Sequence, residues 1–191
     1  MEKKLSTVER RNREVTDEIL IKEHLHKLPM AFISSSDNDQ PFINSNLFWY
    51  AEEEHAIYFH TKKGSNTERV MSVNPRTCFS IALMGRLLPH DEALEFSTEY
   101  LGIVIFGNTR IVTDHSKIMS VFAKYFQKYF PQAKPKKGFT TEDALKATMF
   151  RIDIEEWSCK MNSQPGYEGA FKYRNNLDEK YLSDFDRFLG F

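Results

Sequence analysis

The amino-acid sequence predicts a mainly β protein, a small barrel of about six or seven strands with two or three helices packed on its outside. Short segments of alternating apolar and polar residues recur along the chain. The early segments are separated by turn-forming residues, as expected of antiparallel neighbours. Aromatic residues make up 14% of the chain, which suits a β-rich core. The 191 residues are enough for one domain that buries a core.

The chain opens with polar residues 1–13, which are predicted to be a flexible lead-in to a barrel domain at residues 14–161. A first helix is predicted to start around Asp17 and to stop at Pro29. Its apolar residues fall on one face at helical spacing: Ile21, Leu25 and Leu28.

Strands are predicted at residues 30–34 and 41–50, with a turn at residues 37–40 between them. In the second strand, Asn44 and Asn46 share one face and Ser45 lies on the other. These small polar side chains need hydrogen-bond partners if they are buried. A bound ligand would supply such partners, and a polar patch on a solvent-facing edge strand explains the pattern equally well.

The most informative stretch is a buried strand at residues 56–60 that opens into a polar turn and then a helix, which Asn74 and Pro75 end. The turn contains Lys62, Lys63 and a glycine. Free backbone N–H groups and positive charge at a helix N-terminus can hold a phosphate. An ordinary strand–turn–helix with solvated lysines fits the same spacing.

The second half of the chain continues the strand pattern. Strands are predicted at residues 76–83 and 99–113, separated by an irregular crossover or flap at residues 84–98. Glycines in the 99–113 strand suggest the kinks or bulges at which a barrel strand turns a corner. A half-buried strand is predicted at residues 147–157, and residues 162–191 are predicted to form a C-terminal extension on the barrel or on a dimer partner.

Asp114 is predicted to cap the clearest helix of the chain. Its apolar residues form one continuous stripe: Ile118, Val121, Phe122, Tyr125, Phe126 and Tyr129. Such a stripe is more typical of core or dimer packing than of a cofactor-binding surface. A short helix is predicted to begin at Thr140.

Composition excludes several classes of function. The net charge of −1 gives no reason to expect nucleic acid or an anionic membrane as a partner. No apolar run reaches membrane-spanning length and no signal-peptide core follows the charged opening, so the cytoplasm is the expected compartment. Cys78 and Cys159 form no CxxC pair, which indicates neither a disulfide framework nor a zinc site.

Common motifs for catalysis and for nucleotide binding are missing. The sequence contains no nucleophile elbow, no P-loop, no Gly-x-Gly-x-x-Gly turn and no His-Glu-x-x-His. The six histidines show no metal-ligand spacing, so no metal site is predicted. An enzyme built on this chain would therefore depend on a bound cofactor for its reactivity.

Three ordered stretches, residues 41–50, 57–60 and 74–79, resemble the flavin-binding split barrels of the pyridoxamine-phosphate-oxidase-like superfamily. Residues 100–114 and 150–155 are similar to one branch, the Nim-type 5-nitroimidazole-resistance proteins. The similarity covers about residues 13–161 in the correct order. It implies a homodimer of split β-barrels with an FMN in each of two clefts at the subunit interface.

By position, the resemblance implies that Asn44, Ser45 and Asn46 approach the isoalloxazine edge. It also implies that His60 lies beside the flavin and takes part in the chemistry. Five residues of the turn would surround the phosphate: Lys62, Lys63, Ser65, Asn66 and Thr67. Thr61, just before them, is a further candidate for cofactor binding. Tyr100 and Trp157 are expected to form a wall of the flavin pocket, or to be the residues that the partner subunit contributes to it.

The chain departs from the family at two positions. Asn66 stands where the family commonly has Arg, and Thr67 where it usually has Lys. Contacts from arginine or lysine to phosphate are charge-assisted and strong, so FMN should bind more weakly unless Lys62, Lys63 or Arg69 substitutes. FAD as the cofactor, or loss of the cofactor, becomes an alternative.

The resemblance implies a flavin-dependent oxidoreductase similar to nitroimidazole reductases. It would reduce a small aromatic or nitro compound with electrons from NADH or NADPH, while His60 donates a proton or a hydrogen bond. The alternative is a flavin- or haem-binding dimer that senses, stores or interacts, with His60, His90 or His115 as candidate axial ligands. A third possibility is a dimer without a cofactor.

Overall fold

Seven strands and four α-helices account for most of residues 4–176, which are the residues that the computed structural model describes. The strands are β1 Met30–Asp37, β2 Gln40–Leu47, β3 Trp49–Ala51, β4 Ala56–Lys62, β5 Arg76–Leu88, β6 Ser97–Ile111 and β7 Ala147–Asn162. The helices are α1 Glu18–Lys27, α2 Asn66–Val73, α3 His115–Tyr129 and α4 Thr141–Ala144. The predicted mainly β class with flanking helices is confirmed.

All strand pairs are antiparallel, and the order in the sheet is β2-β1-β5-β6-β7-β4-β3. The outermost strands β2 and β3 follow each other directly in the chain, so the sheet curls until β2 faces β4. No backbone ladder joins β2 to β4 anywhere in residues 4–176. The barrel is therefore split between these two strands, as the resemblance implies.

Side chains, instead of a ladder, hold the two edges of the split together. The Asn46 Nδ2 atom donates to the His60 carbonyl at 2.8 Å. The Tyr125 hydroxyl of α3 lies 3.0 Å from the Leu47 carbonyl of β2 and 2.9 Å from the Tyr58 carbonyl of β4. Helix α3 thus contacts both edges of the split.

The core has two layers. The larger fills the barrel and includes Ile33, Phe59 and Phe150, all fully buried. The smaller lies between α3 and the outer side of β3 and β4. The predicted stripe of α3 supplies its buried residues: Ile118, Val121, Phe122 and Tyr125. Asp114 caps this helix as predicted, because its Oδ1 accepts from the Ser116 amide at 2.8 Å.

The prediction of one strand over residues 41–50 is wrong at Phe48, where β2 ends before β3 begins. The Phe48 amide donates to the Tyr129 hydroxyl at 3.0 Å, and this hydroxyl also lies 2.6 Å from the Phe48 carbonyl. A side chain of α3 thus hydrogen-bonds to both polar backbone groups of Phe48, so this residue does not pair with a neighbouring strand.

The prediction of a flap over residues 84–98 is wrong at both ends. Strands β5 and β6 remain paired at Leu87–Thr98 and Leu88–Ser97, after a register shift, and only residues 89–96 are irregular. The Arg86 Nε atom donates to Glu99 Oε2 at 2.8 Å and fastens the two strands there. Strand β7 also continues beyond the predicted end at residue 157, because it pairs with β6 as far as Asn162.

The predicted β-bulge is confirmed at Gly107, where the pairing of β6 with β7 changes register between Phe106 and Gly107. A Cβ atom on Gly107 would lie 2.1 Å from the Asp153 carbonyl oxygen. Gly102, on the same strand, lies in regular pairing, and a Cβ atom there would come no closer than 3.8 Å to the Lys160 side chain.

The segments at both ends of the barrel contact its surface. Ahead of α1, Val8 is buried and the Val15 amide donates to the Cys159 carbonyl of β7 at 2.9 Å. After β7, Phe171 exchanges backbone hydrogen bonds of 2.7 and 3.1 Å with Leu87. Of the predicted extension, residues 177–191 lie outside the described residues. Within residues 4–176, none of the helices has the length and apolar character needed to cross a membrane.

Candidate functional site

The two asparagines of β2 lie at the split and are hydrogen-bonded to protein groups. Asn44 Nδ2 donates to Asn46 Oδ1 at 2.6 Å, and Asn46 Nδ2 donates to the His60 carbonyl. Both side chains are half-buried on the face that points into the barrel, since they pair with the buried Ile33 and Ala31 of β1. Three of their four side-chain polar groups are thus hydrogen-bonded to each other or to β4. Ser45 is exposed on the opposite, outer face.

The turn between β4 and α2 lies next to the split. Ser65 is the N-cap of α2, and its hydroxyl accepts from the Glu68 amide at 3.2 Å and lies 2.7 Å from the Thr61 hydroxyl. Gly64, at φ +76°, makes the sharp bend. Its N–H group donates to Glu68 Oε2 at 2.5 Å. A carboxylate of the chain itself therefore occupies part of the helix N-terminus, where a phosphate is expected.

Two backbone donors and two cations remain available at this turn. In the part of the chain that the structure describes, the Asn66 and Thr67 amides have no acceptor, and Lys62 and Lys63 have no acidic partner. Arg69 is already engaged, since its Nη2 atom donates to Asp37 Oδ2 at 2.7 Å and thereby lowers the pKa of Asp37. The lysines are thus the available substitutes for the missing family cations. The Thr67 side chain itself is buried.

The His60 ring lies on the α3 side of β4. Its centroid is 5.0 Å from that of Phe122 and 5.3 Å from that of Tyr125. Burial lowers the pKa of His60, so the imidazole is neutral at pH 7. Its Nδ1 atom is buried without a hydrogen-bond partner among residues 4–176. A neutral imidazole can donate or accept a hydrogen bond, whereas the imidazolium form is scarce at pH 7.

Tyr100 and Trp157 lie apart from the split within one chain. The β4–α2 turn is next to the start of β7, where Lys62 pairs with Ala147. Trp157 is ten residues further along β7, which is about 33 Å of strand, and Tyr100 pairs still further on with Asn162. The Tyr100 side chain is on the outer face of β6, and Trp157 packs its ring 4.8 Å from that of His55.

Two elements of this site were not predicted. The contact of Glu68 with the turn had a sequence signal, because a serine three residues before a glutamate at a helix start is a capping-box pattern. The bridge from Asn46 to the His60 carbonyl had none, since it joins strands that do not pair.

Comparison with known proteins gives the family. A family model described as pyridoxamine 5'-phosphate oxidase matches residues 17–161. A search of curated proteins found no match. Solved structures, three of them named below, share the fold at low sequence identity.

The flavocytochrome Anf3 from Azotobacter vinelandii is similar over 94% of this chain and 79% of its own, with a TM-score of 0.74 and 17% identity. The FAD and haem binding protein from Mycobacterium smegmatis is similar over 80% and 74%, with a TM-score of 0.68 and 14% identity. A proposed 5-nitroimidazole antibiotic resistance protein from Bacteroides thetaiotaomicron is similar over 78% and 86%, with a TM-score of 0.65 and 13% identity. These likenesses confirm the split-barrel fold, and the family match shows that this chain belongs to the pyridoxamine 5'-phosphate oxidase family.

Proposed function

We propose that this protein is a flavin-dependent oxidoreductase that reduces small aromatic or nitro compounds with electrons from NADH or NADPH. The observation that carries the proposal is the turn after β4, which lies beside the split of the barrel and includes the Ser65 hydroxyl. Among residues 4–176, the backbone N–H groups of Asn66 and Thr67 have no acceptor there, and Lys62 and Lys63 have no acidic partner. Membership of the family and a fold shared with flavin-binding proteins support a flavin there.

The residues at the turn fit a flavin phosphate in part. Amide and hydroxyl groups donate to phosphate oxygens, and Lys62 and Lys63 would neutralise their charge. We propose FMN as the cofactor. FAD is the alternative, because Asn66 and Thr67 stand where the family has cations. The bound flavin would supply the electron-transfer chemistry. The chain would bind the phosphate, orient the ring against the β2 edge and shield it from water.

The first experiment is the visible absorption spectrum of the purified protein, followed by identification of the released cofactor. Two flavin bands, release of FMN or FAD, and oxidation of NADH or NADPH by a nitroaromatic acceptor are the expected results. A colourless protein that does not take up added flavin would refute the proposal. Flavin bands without any turnover would leave the binding site standing and remove the enzymatic part.

A haem-binding protein without catalysis is the second candidate. Two of the structures that share this fold are, by their names, a flavocytochrome and an FAD and haem binding protein. The same spectrum decides between the candidates, because bound haem gives an intense Soret band. Loss of that band in one of the variants His60→Ala, His90→Ala or His115→Ala would identify the axial ligand.

We further propose that a second copy of this chain covers the outer face of β2, β1 and β5. Four large apolar side chains on these strands are 50–64% exposed: Met30, Phe32, Ile43 and Met84. Apolar side chains grouped on neighbouring strands are typical of an interface. Ser45 and Tyr100 lie on this outer face of the sheet, so a dimer would bring the partner's surface onto them.

Sedimentation velocity tests the dimer. The protein is expected to sediment as a dimer at micromolar concentration, and the Phe32→Glu/Ile43→Glu variant as a monomer, because two carboxylates cannot be buried there unpaired. Ile19→Glu/Val73→Glu is the control, since these apolar side chains are 79% and 80% exposed but lie on helices. A monomeric wild-type protein would contradict this part of the proposal.

His60→Gln is expected to keep the flavin and to lower turnover by about 100-fold, the usual contribution of a positioned hydrogen-bond donor. Because burial lowers the pKa of His60, the neutral ring is the working form at pH 7, and its contribution to turnover should not change as the pH is raised above 7. His115→Gln, at an exposed position, is the control. Unchanged turnover in His60→Gln would leave the ring a structural part of the aromatic cluster with Phe122.

Glu68→Gln is expected to raise the affinity for flavin by about tenfold, because it removes a negative charge that competes with the phosphate for the Gly64 amide. The glutamine oxygen can still accept from Gly64, which preserves the turn. Fluorescence titration of the flavin-free protein measures the change. Glu53→Gln removes the same charge from an exposed site elsewhere and should change nothing. Weaker flavin binding in Glu68→Gln would show that Glu68 supports the site.

A further inference from the structure

A pocket of about 450 Å³ lies at the far end of β7 from the β4–α2 turn. Three segments that are distant in sequence form it: the lead-in, the β5–β6 connection, and the end of β7 with the residues that follow. Lys62 pairs with Ala147 at the start of β7, whereas this pocket contains Asn162 at its end. The pocket is therefore separate from the proposed flavin site of the same chain.

Two arginines that line this pocket have no acidic partner in the described part of the chain. Arg10 and Arg13 line it, and neither guanidinium meets a carboxylate within residues 4–176. Arg11, between them, does not line the pocket and is paired with Glu14 at 2.8 Å. Glu95 is the one carboxylate among the lining residues, so the pocket keeps a positive balance. An unpaired guanidinium pair is suited to bind a carboxylate or phosphate.

The side chain of Asn162 offers the pocket a hydrogen-bond acceptor, its Oδ1 atom. The residue is 2% exposed and lines the pocket. Its Nδ2 atom donates to the Thr98 carbonyl at 2.8 Å, which fixes the orientation of the amide because a carbonyl can only accept. The remaining Oδ1 atom has no hydrogen-bond partner among the described residues. An N–H or O–H group of a ligand at this end of the pocket would satisfy it.

The rim of the pocket is apolar and its wall is firmly held. Leu94 and Phe96 are 90% and 61% exposed at the rim. The Tyr167 hydroxyl donates to the Pro89 carbonyl at 2.5 Å and closes one side. The Glu99 carboxylate accepts a hydrogen bond from the backbone N–H group of Gln164 at 2.9 Å. Hydrogen bonds from Arg86 lower the pKa of Glu99 to about 2, so this carboxylate stays ionised. The pocket is thus formed before any ligand binds.

We propose that this pocket binds an aromatic anion that carries a hydrogen-bond donor away from its charged group. The anionic group pairs with Arg10 and Arg13, the ring lies against Leu94 and Phe96, and the donor reaches Asn162 Oδ1. Aromatic carboxylates and nucleoside phosphates share this chemistry. The site does not depend on the proposed flavin function.

Isothermal titration calorimetry of the purified protein with 4-aminobenzoate and with adenosine 5'-monophosphate tests the site and separates the two sources. At least one probe is expected to bind. The Arg10→Gln/Arg13→Gln variant should bind it at least about tenfold more weakly, because two charge-assisted contacts are lost. Arg11→Gln is the matched control and should bind like the wild type. Benzoate, which lacks the donor, should bind several-fold more weakly than 4-aminobenzoate if the carboxylate class is correct.

Failure of both probes to bind would overturn the proposal, and so would equal binding by Arg10→Gln/Arg13→Gln and the wild type. The flavin absorption of each variant is recorded in parallel. A variant that loses the probe but keeps its flavin separates this site from the flavin site, and a protein without flavin that still binds the probe does the same.

Discussion

The Lys62→Ala/Lys63→Ala variant is expected to lose its flavin, with affinity about 100-fold or more below that of the wild type. Both lysines are exposed at the β4–α2 turn, and neither has an acidic partner in residues 4–176. Charge-assisted hydrogen bonds contribute about 1.5–3 kcal/mol each, so two lost contacts predict this change. Fluorescence titration of the flavin-free variant with FMN measures it, and circular dichroism checks the fold.

The matched control for the lysine pair is Lys124→Ala/Lys172→Ala, which removes the same charge from two other exposed positions. It should bind flavin like the wild type if the effect is local. Wild-type affinity in Lys62→Ala/Lys63→Ala would show that these lysines do not replace the family cations. An equal loss in both variants would point to net charge instead of a contact.

Gly107→Ala is expected to lower the free energy of unfolding by about 3 kcal/mol or more. The added Cβ atom would lie 2.1 Å from the Asp153 carbonyl oxygen, a backbone atom of the neighbouring strand that cannot turn away as a side chain can. Relief requires the β6–β7 bulge to open, and overpacking of this kind is among the costly single substitutions. Urea denaturation followed by tryptophan fluorescence measures the loss.

Gly102→Ala is the control on the same strand, because its added Cβ atom would come no closer than 3.8 Å to a flexible lysine side chain. It is expected to change the free energy of unfolding by less than about 1 kcal/mol. Equal stability of Gly107→Ala and Gly102→Ala would mean that the bulge adapts easily and does not fix the register of β6 and β7.

Much of the fold could be predicted from the sequence because local patterns determine it. Alternation located most strands, and a 3.6-residue period with Asp114 at its start located α3. The failures share one physical cause, which is a contact distant in sequence. The predicted strand is interrupted at Phe48 because the hydroxyl of Tyr129, 81 residues later, is hydrogen-bonded to the Phe48 backbone. Strands β5 and β6 stay paired beyond Met84 because Arg86 meets Glu99.

The turn of the candidate site could be predicted from the sequence, but the contacts between the side chains around it could not. The turn with Lys62 and Ser65 follows from spacing, and the structure places both beside the split. Asn44 and Asn46 were recognised as needing partners, but the partner is a carbonyl on a strand that does not pair with theirs. Alternation along β4 places His60 on the same face as Tyr58. Because α3 covers that face, the position of His60 beneath α3 follows from the strand period.

Two tyrosines of α3 connect this helix to the width of the split in the barrel. One hydroxyl, that of Tyr125, contacts carbonyls on both edges, and that of Tyr129 holds the bend at Phe48. The two edges are held close while α3 stays docked, because a carbonyl on each edge lies within hydrogen-bond distance of the same hydroxyl oxygen. Substitutions on the buried side of α3 therefore offer a way to tune the aperture of the barrel without changing any residue of the strands themselves.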